Sequence, residues 1–283
     1  MVFMAGASLS LGNWSKRLNS LLSRDVPSPA SASALGLRFD SIDALRGFAM
    51  VWMTLFHFSF DLNNFGYIKQ DFYNDPIWTW QRTCILSLFL FTAGFSQAVA
   101  VSQGQSWQRF WRRWGQIAVC AMLVTVGSYW MFPKTFIYFG VLHGMLVMLI
   151  VVRLTARWGH GLWLLGTLAV GASWLATKLT LPPEVADLLN SKPLNWIGWV
   201  TRKPHTEDYV PLLPWLGVMW WGAAAGAWAM RSEAPWLSSP SSGKPVAWQA
   251  LSTLGRWSLS YYMIHQPILI GGLMGLAWLS SQR

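Results

Sequence analysis

The chain has 283 residues, of which 53% are hydrophobic and only 11% charged, roughly half the charge of an ordinary soluble domain, which excludes a water-soluble globular fold. Its formal net charge of +10 would suggest nucleic acid in a soluble protein, but the basic residues flank apolar runs, which reads as membrane topology with no nucleic-acid partner. The two cysteines, Cys84 and Cys120, both fall inside apolar runs, which excludes a disulfide framework and cysteine-type metal spacing.

Residues 1–37 are rich in Ser and Ala and lack a signal peptide's long apolar stretch, so they read as a flexible cytoplasmic tail. Residues 38–283 read as one integral membrane domain. A spanning helix needs about 20 apolar residues. No Asp, Glu, Lys or Arg occurs in 83–108, 114–133, 135–152, 161–177, 209–230 or 257–282. A seventh run reaches spanning length as 42–61, with Asp43 and Arg46 in its first turn. The expectation is an all-α, polytopic membrane protein with about seven transmembrane helices. Many Trp sit near the ends of these runs, as in an interfacial belt. The patch "GVMWWGAAAGAW" in the sixth run suits close helix packing. Segment 178–208 has balanced charge and reads as a partly helical cap, and 231–256, with "APWLSSPSSGKP", as a flexible linker.

Alternate connections differ in charge. Arg109, Arg112 and Arg113, then Arg153 and Arg157, then Arg231, Lys244 and Arg256 lie on one side. On the other side, 61–76 has one Lys against three Asp. The positive-inside rule then gives the N-terminus in and the C-terminus out.

Ionisable groups inside membrane helices are functional candidates by default. Asp43 and Arg46 are i, i+3 and can pair on one face. Two readings stand: an ion pair anchoring the first helix, or an anionic-ligand site using the fixed guanidinium fork. His57 lies about 16 Å further along the helix, and Asp61 is one turn beyond on the same face. A carboxylate at that spacing can fix one imidazole tautomer and leave the other nitrogen as a base. The alternative is a His that bonds a neighbouring helix. His143, between Gly140 and Gly144, reaches the outer half of the membrane. His265 and Gln266 precede Pro267, which frees a carbonyl one turn back. Arg82, at the outer end of the second run, reads as a snorkelling or ligand-facing cation.

Five segments, "SIDALRGFAMVWMTLFHFSFDLNNFG", "LFLFTAGFSQAVA", "IYFGVLHGMLVMLIVV", "DYVPLLPWLGVMWWGAAAG" and "LGRWSLSYYMIHQPIL", resemble in that order the bacterial family named after the catalytic domain of heparan-alpha-glucosaminide N-acetyltransferase, within a wider superfamily of transmembrane acyltransferases. The resemblance runs from about residue 38 to 275. It implies transfer of an acyl group, expected to be acetyl, from cytoplasmic acyl-CoA to an amine or hydroxyl of a sugar or envelope glycan on the other side. It implies acetyl-CoA or another acyl-CoA as co-substrate, with no tightly bound cofactor and no metal. The superfamily's motif His, after an "RG" start, matches His57, and its Arg matches Arg46. On this reading His57, oriented by Asp61, is the base, and His143 is a second base or an oxyanion donor. Arg46 holds CoA phosphates, and Asp43, Arg82, His265 and Gln266 line the substrate path. The bilayer, acyl-CoA and a glycan or small polar acceptor are the expected partners, and a homo-oligomer is compatible. The competing reading is a proton-coupled transporter or flippase for a polar lipid or sugar. Against it, the sequence shows neither an internal repeat nor paired broken helices.

Overall fold

The computed structural model describes residues 38–238 and 243–282; the expected tail, 1–37, lies outside them. Helices dominate: α1 (Asp40–Asn64), α2 (Pro76–Ser102), α3 (Trp107–Met131), α4 (Val141–Thr155), α5 (Gly161–Ala176), α6 (Pro183–Asn190), α7 (Leu212–Arg231), α8 (Pro235–Ser238), α9 (Val246–Arg256) and α10 (Ser258–Ser281). Short 3-10 turns follow α4 (Ala156–Trp158) and α6 (Asn195–Ile197). Local chemistry sets several starts. Asp75 accepts from the Ile77 N–H, with Pro76 at the first position of α2, and Ser106 accepts from the Arg109 N–H at the start of α3. Each caps donors that the helix itself cannot satisfy.

The six uncharged runs and the seventh, 42–61, each become a helix: α2, α3, α4, α5, α7 and α10, with α1 from the seventh. Four stretches, Pro76–Ser102, Trp107–Met131, Val141–Trp158 and Ser258–Ser281, are long and apolar enough to cross a membrane, and Gly161–Ala176 is a shorter apolar helix. Polar insertions dilute α1, and Gly, Ala and Trp dilute α7. The segment 231–256 departs from the linker expectation, because Val246–Arg256 is a helix packed along α1. Its small residues decide that: a Cβ on Gly255 would lie 1.8 Å from the Asp43 carbonyl oxygen, and one on Gly47 1.9 Å from that of Leu251. The segment 178–208 carries α6 and a 3-10 turn, as the cap expectation has it.

Connectors gather at two ends. At the first, Arg153 on α4 bonds the side chain and backbone carbonyl of Gln105 in the α2–α3 connector. There too Arg231 lies beside Gly159, and Arg256 pairs with Asp40 at 2.5 Å. This is the basic end. At the opposite end, segments 132–140 and 206–210 run side by side, with the Glu207 N–H donating to the Thr135 carbonyl and Val210 to Phe139. Asn195 joins them by donating to the Tyr138 hydroxyl and accepting from Tyr209 through its carbonyl.

Three packed regions fill the interior. One joins α2, α3, α4, α5 and α7 around Leu90, Met148, Leu162 and Met219. Another gathers Ile42 of α1, Phe95 and Val99 of α2, Ala229 of α7 and Leu237 of α8. The third, around Met50, Met53 and Phe56 of α1, meets Tyr261 and Tyr262 of α10. The third region positions the candidate site.

Candidate active site

The α1–α10 contact carries polar side chains in matched order from the basic end outward. Thr54 meets Tyr261 (Oγ1 to Oη, 2.7 Å). One turn on, the rings of His57 and His265 lie 5.3 Å apart, tilted by 61°. Further out, the Gln266 amide nitrogen donates to both oxygens of Asp61, at 2.9 and 3.0 Å. The helices therefore run in the same direction, and residues some two hundred positions apart share one polar line.

The tautomer of His265 follows from its partner. Its Nδ1 lies 2.7 Å from the Tyr262 carbonyl oxygen, which can only accept, so Nδ1 carries the proton. In the neutral ring Nε2 is then a lone-pair acceptor, and it is buried with no hydrogen-bond partner among the described residues. A buried acceptor without a donor is costly. It is also the arrangement a general base needs: one nitrogen fixed, the other available. Gln266 repeats the pattern, since its Oε1 is buried and without a partner among the described residues.

Asp61 is 3% exposed and is matched to Gln266. It does not bond His57, which departs from the expected His57–Asp61 pair. The i, i+4 spacing permits that pair, but the Gln266 amide offers a donor aimed between both carboxylate oxygens. His57 instead meets aromatic edges, those of Phe56 and His265.

At the basic end of the same helix, Arg46 donates to Asp43 at 3.0 Å and to Ser96 on α2 at 2.6 Å. Arg256 approaches the other Asp43 oxygen at 3.9 Å. The anchoring ion pair expected for Asp43 and Arg46 is thus present, with 5% of the Asp43 side chain exposed against 17% for Arg46.

His143 sits elsewhere. Its Nδ1 accepts from the Gly140 N–H at 3.3 Å, and its Nε2 meets Thr125 Oγ1 at 3.0 Å. The Thr125 hydroxyl donates to the Ile137 carbonyl, so Nε2 is the donor and both ring nitrogens are committed to closing the start of α4. Asp208 completes that cap by accepting from the Val141 N–H at 2.8 Å. Burial pushes the Asp208 carboxyl above the usual carboxylate range, while the Val141 donor and the Lys203 and Arg82 charges pull it back. Lys203 stands over the Tyr73 ring at 5.6 Å; burial and then Arg82 lower its ammonium below the ordinary lysine value. Arg82 thus belongs to a charged group with Asp208 and Lys203 at the opposite end.

Over residues 38–267 the sequence matches the family described as heparan-alpha-glucosaminide N-acetyltransferase, catalytic. The chain belongs to that family. It is a membrane protein of the acetyltransferase class. No curated protein and no solved structure matches it.

The family match takes in every candidate residue, from Asp43 to Gln266. Of those residues, this acetyltransferase fold brings His57, Asp61, His265 and Gln266 together along α1–α10, with Asp43 and Arg46 lower on the same helix. His143 and Arg82 are placed at the opposite end. Sequence reasoning missed Thr54, Tyr261, Ser96, Asp208 and Arg256. A signal for two of them was present: Tyr261 precedes His265 by one helical turn, and Thr54 precedes His57 by three residues, the spacings that share a helix face.

Proposed function

We propose that this chain is a membrane-embedded acetyltransferase that takes the acetyl group of acetyl-CoA at the basic end and delivers it to an amine or hydroxyl of a sugar or envelope glycan at the opposite end. The observation that carries it is the buried Nε2 of His265, without a hydrogen-bond partner among the described residues, on a ring whose centroid lies 5.3 Å from that of His57 and whose Nδ1 is held by the Tyr262 carbonyl. The basic end faces the cytoplasm of a bacterium in this reading, because the Arg-rich helix ends gather there. Arg46 lies within reach of CoA phosphates on that side, and the long pantetheine arm spans the distance along α1 to the histidine pair.

The reaction needs a base where the acceptor attacks. The acceptor's lone pair forms a new C–N or C–O bond to the thioester carbonyl carbon. The C–S bond breaks, and its electron pair leaves on the CoA sulfur as thiolate. The acceptor's proton passes to His265 Nε2 and from there to the thiolate, which regenerates the neutral ring. His57, beside it, offers a second imidazole for the same proton or for the developing oxyanion. In this assignment the base is His265 in place of the His57–Asp61 pair, and His143 acts as a helix cap.

The test uses purified protein in detergent with radiolabelled acetyl-CoA and two acceptors, an amino sugar and a neutral sugar. His265→Ala is expected to lower transfer by roughly a hundredfold or more, the typical worth of a positioned base. His143→Ala is expected to lower melting temperature more than turnover. Wild-type turnover in His265→Ala would remove the base assignment. Absence of transfer by the wild-type protein to either acceptor, with proton-coupled solute movement in vesicles, would favour transport.

A further inference from the structure

His265 is held on more than its Nδ1 side. The Tyr261 ring lies nearly parallel to the imidazole, 11° between planes with centroids 6.0 Å apart, and the Tyr262 ring packs at 5.7 Å. Tyr261 is itself tied to α1. The Thr54 hydroxyl has one proton and donates it to the Met50 carbonyl at 2.8 Å. Its 2.7 Å contact with the Tyr261 hydroxyl is therefore a bond in which the tyrosine donates. A backbone carbonyl of α1 thus fixes a threonine, the threonine fixes a tyrosine, and the tyrosine ring lies along the imidazole of α10. The Asp61–Gln266 bond closes the other side of the histidine pair. The two imidazoles are bracketed by one side-chain tie on each side.

We infer that Thr54 and Tyr261 are positioning residues for His265: the tie sets the height and tilt of the imidazole against His57 and so aims Nε2 at the space between the helices. The inference rests on the acetyltransferase reading above. Neither residue contacts the reacting atoms in that reading. Each acts through the ring of His265, whose Nε2 has no donor to orient it among the described residues. Misplacement of a reacting group by about 1 Å can cost as much as a hundredfold in rate, so an untied tyrosine is expected to lower turnover without weakening substrate binding.

Three variants test this: Tyr261→Phe and Thr54→Val, which each remove one hydroxyl and keep the bulk, and Thr54→Ser, which keeps the hydroxyl. Acetyl transfer and the rate at which diethyl pyrocarbonate modifies His265, read by peptide mass spectrometry, are measured on the same purified samples. Tyr261→Phe and Thr54→Val are expected to lower kcat about tenfold, with KM for acetyl-CoA within about twofold. They are expected to speed His265 modification at least threefold, as Nε2 comes out of its buried position. Thr54→Ser is expected to match wild type in both. Unchanged kcat and modification rate in Tyr261→Phe and Thr54→Val would overturn the inference, as would a rise in KM alone. The modification rate does not depend on catalysis. If wild type transfers no acetyl group but the rates shift as stated, the enzyme reading fails and the tie stands. If wild type is active and the rates do not shift, the tie fails alone.

Discussion

Asp61 and Gln266 show what a single buried pair does in this chain. A carboxylate 3% exposed is expensive unless its oxygens are matched, and one amide nitrogen serves both. A hydrogen bond to a charged group contributes about 1.5–3 kcal/mol. Gln266→Leu is therefore expected to lower the apparent melting temperature in detergent, whereas Asp61→Asn combined with Gln266→Leu costs less than the sum of the single changes. Strict additivity in that double-mutant cycle would deny the coupling. Asp208 gives a pH signature outside the spanning helices. Its folded value is raised by burial, so the protonated form's contribution is fully present below the unfolded carboxylate value of about 3.9 and is lost as pH rises through the higher folded value. Asp208→Asn keeps an oxygen for the Val141 N–H and removes the titration. The wild-type melting temperature is expected to fall relative to that variant as pH rises above about 4, the unfolded carboxylate value, and parallel curves would contradict the shift. His57 and Asp61 also mark the limit of local spacing. Four residues on one helix show that two side chains can meet, not that a third group, 205 positions away, makes a better partner. Arg46 and Asp43 were legible from the same spacing because their partner lies on the same turn.

Helix packing rests on missing side chains. A Cβ at Gly94 would lie 2.0 Å from the Met219 carbonyl oxygen, and one at Gly222 2.1 Å from that of Phe91. The α2–α7 contact is thus backbone against backbone, as small residues allow in membranes. The blocking atoms are carbonyl oxygens, which cannot swing aside as a side-chain tip does. Gly94→Ala is expected to lower the yield of monodisperse protein severely, whereas Gly115→Ala, on α3 with open space around it, leaves it unchanged. Equal yields in fluorescence-detected gel filtration would remove this account of the contact. The Gly and Ala pattern of the sixth run announced such a contact but not its partner, because composition names a flat face and not what lies on it. The linker expectation for 231–256 erred for a related reason. Pro, Ser and Gly up to Pro245 dominate that reading, while α9 has only eleven residues and buries Ser252 and Gly255, neither of which signals a helix.

At the scale of the whole molecule, charge-free length was legible because lipid forbids unpaired backbone groups and charges alike, and each of the seven runs folds into a helix. The histidine pair was not legible, since 57 and 265 meet only once the first and last helices are side by side. Orientation can be tested directly. Arg109, Arg112 and Arg113 in the first turns of α3 and Arg157 in the 3-10 turn after α4 share the basic end, while the opposite end mixes Lys192, Arg202 and Lys203 with Asp187, Glu207 and Asp208. A charge excess in short connectors favours retention on the cytoplasmic side. Arg157 and Lys192 are both exposed and lie at different ends, so each can be replaced by cysteine in a background in which Cys84 and Cys120, the free thiols here, are alanine. A membrane-impermeant maleimide is expected to label Lys192→Cys in intact cells and Arg157→Cys only after permeabilisation. The reverse pattern would invert the direction of transfer, placing the Arg46 end and its proposed CoA site outside the cell, where no acetyl-CoA is supplied. The labelling result therefore bears on the reaction as well as on the topology.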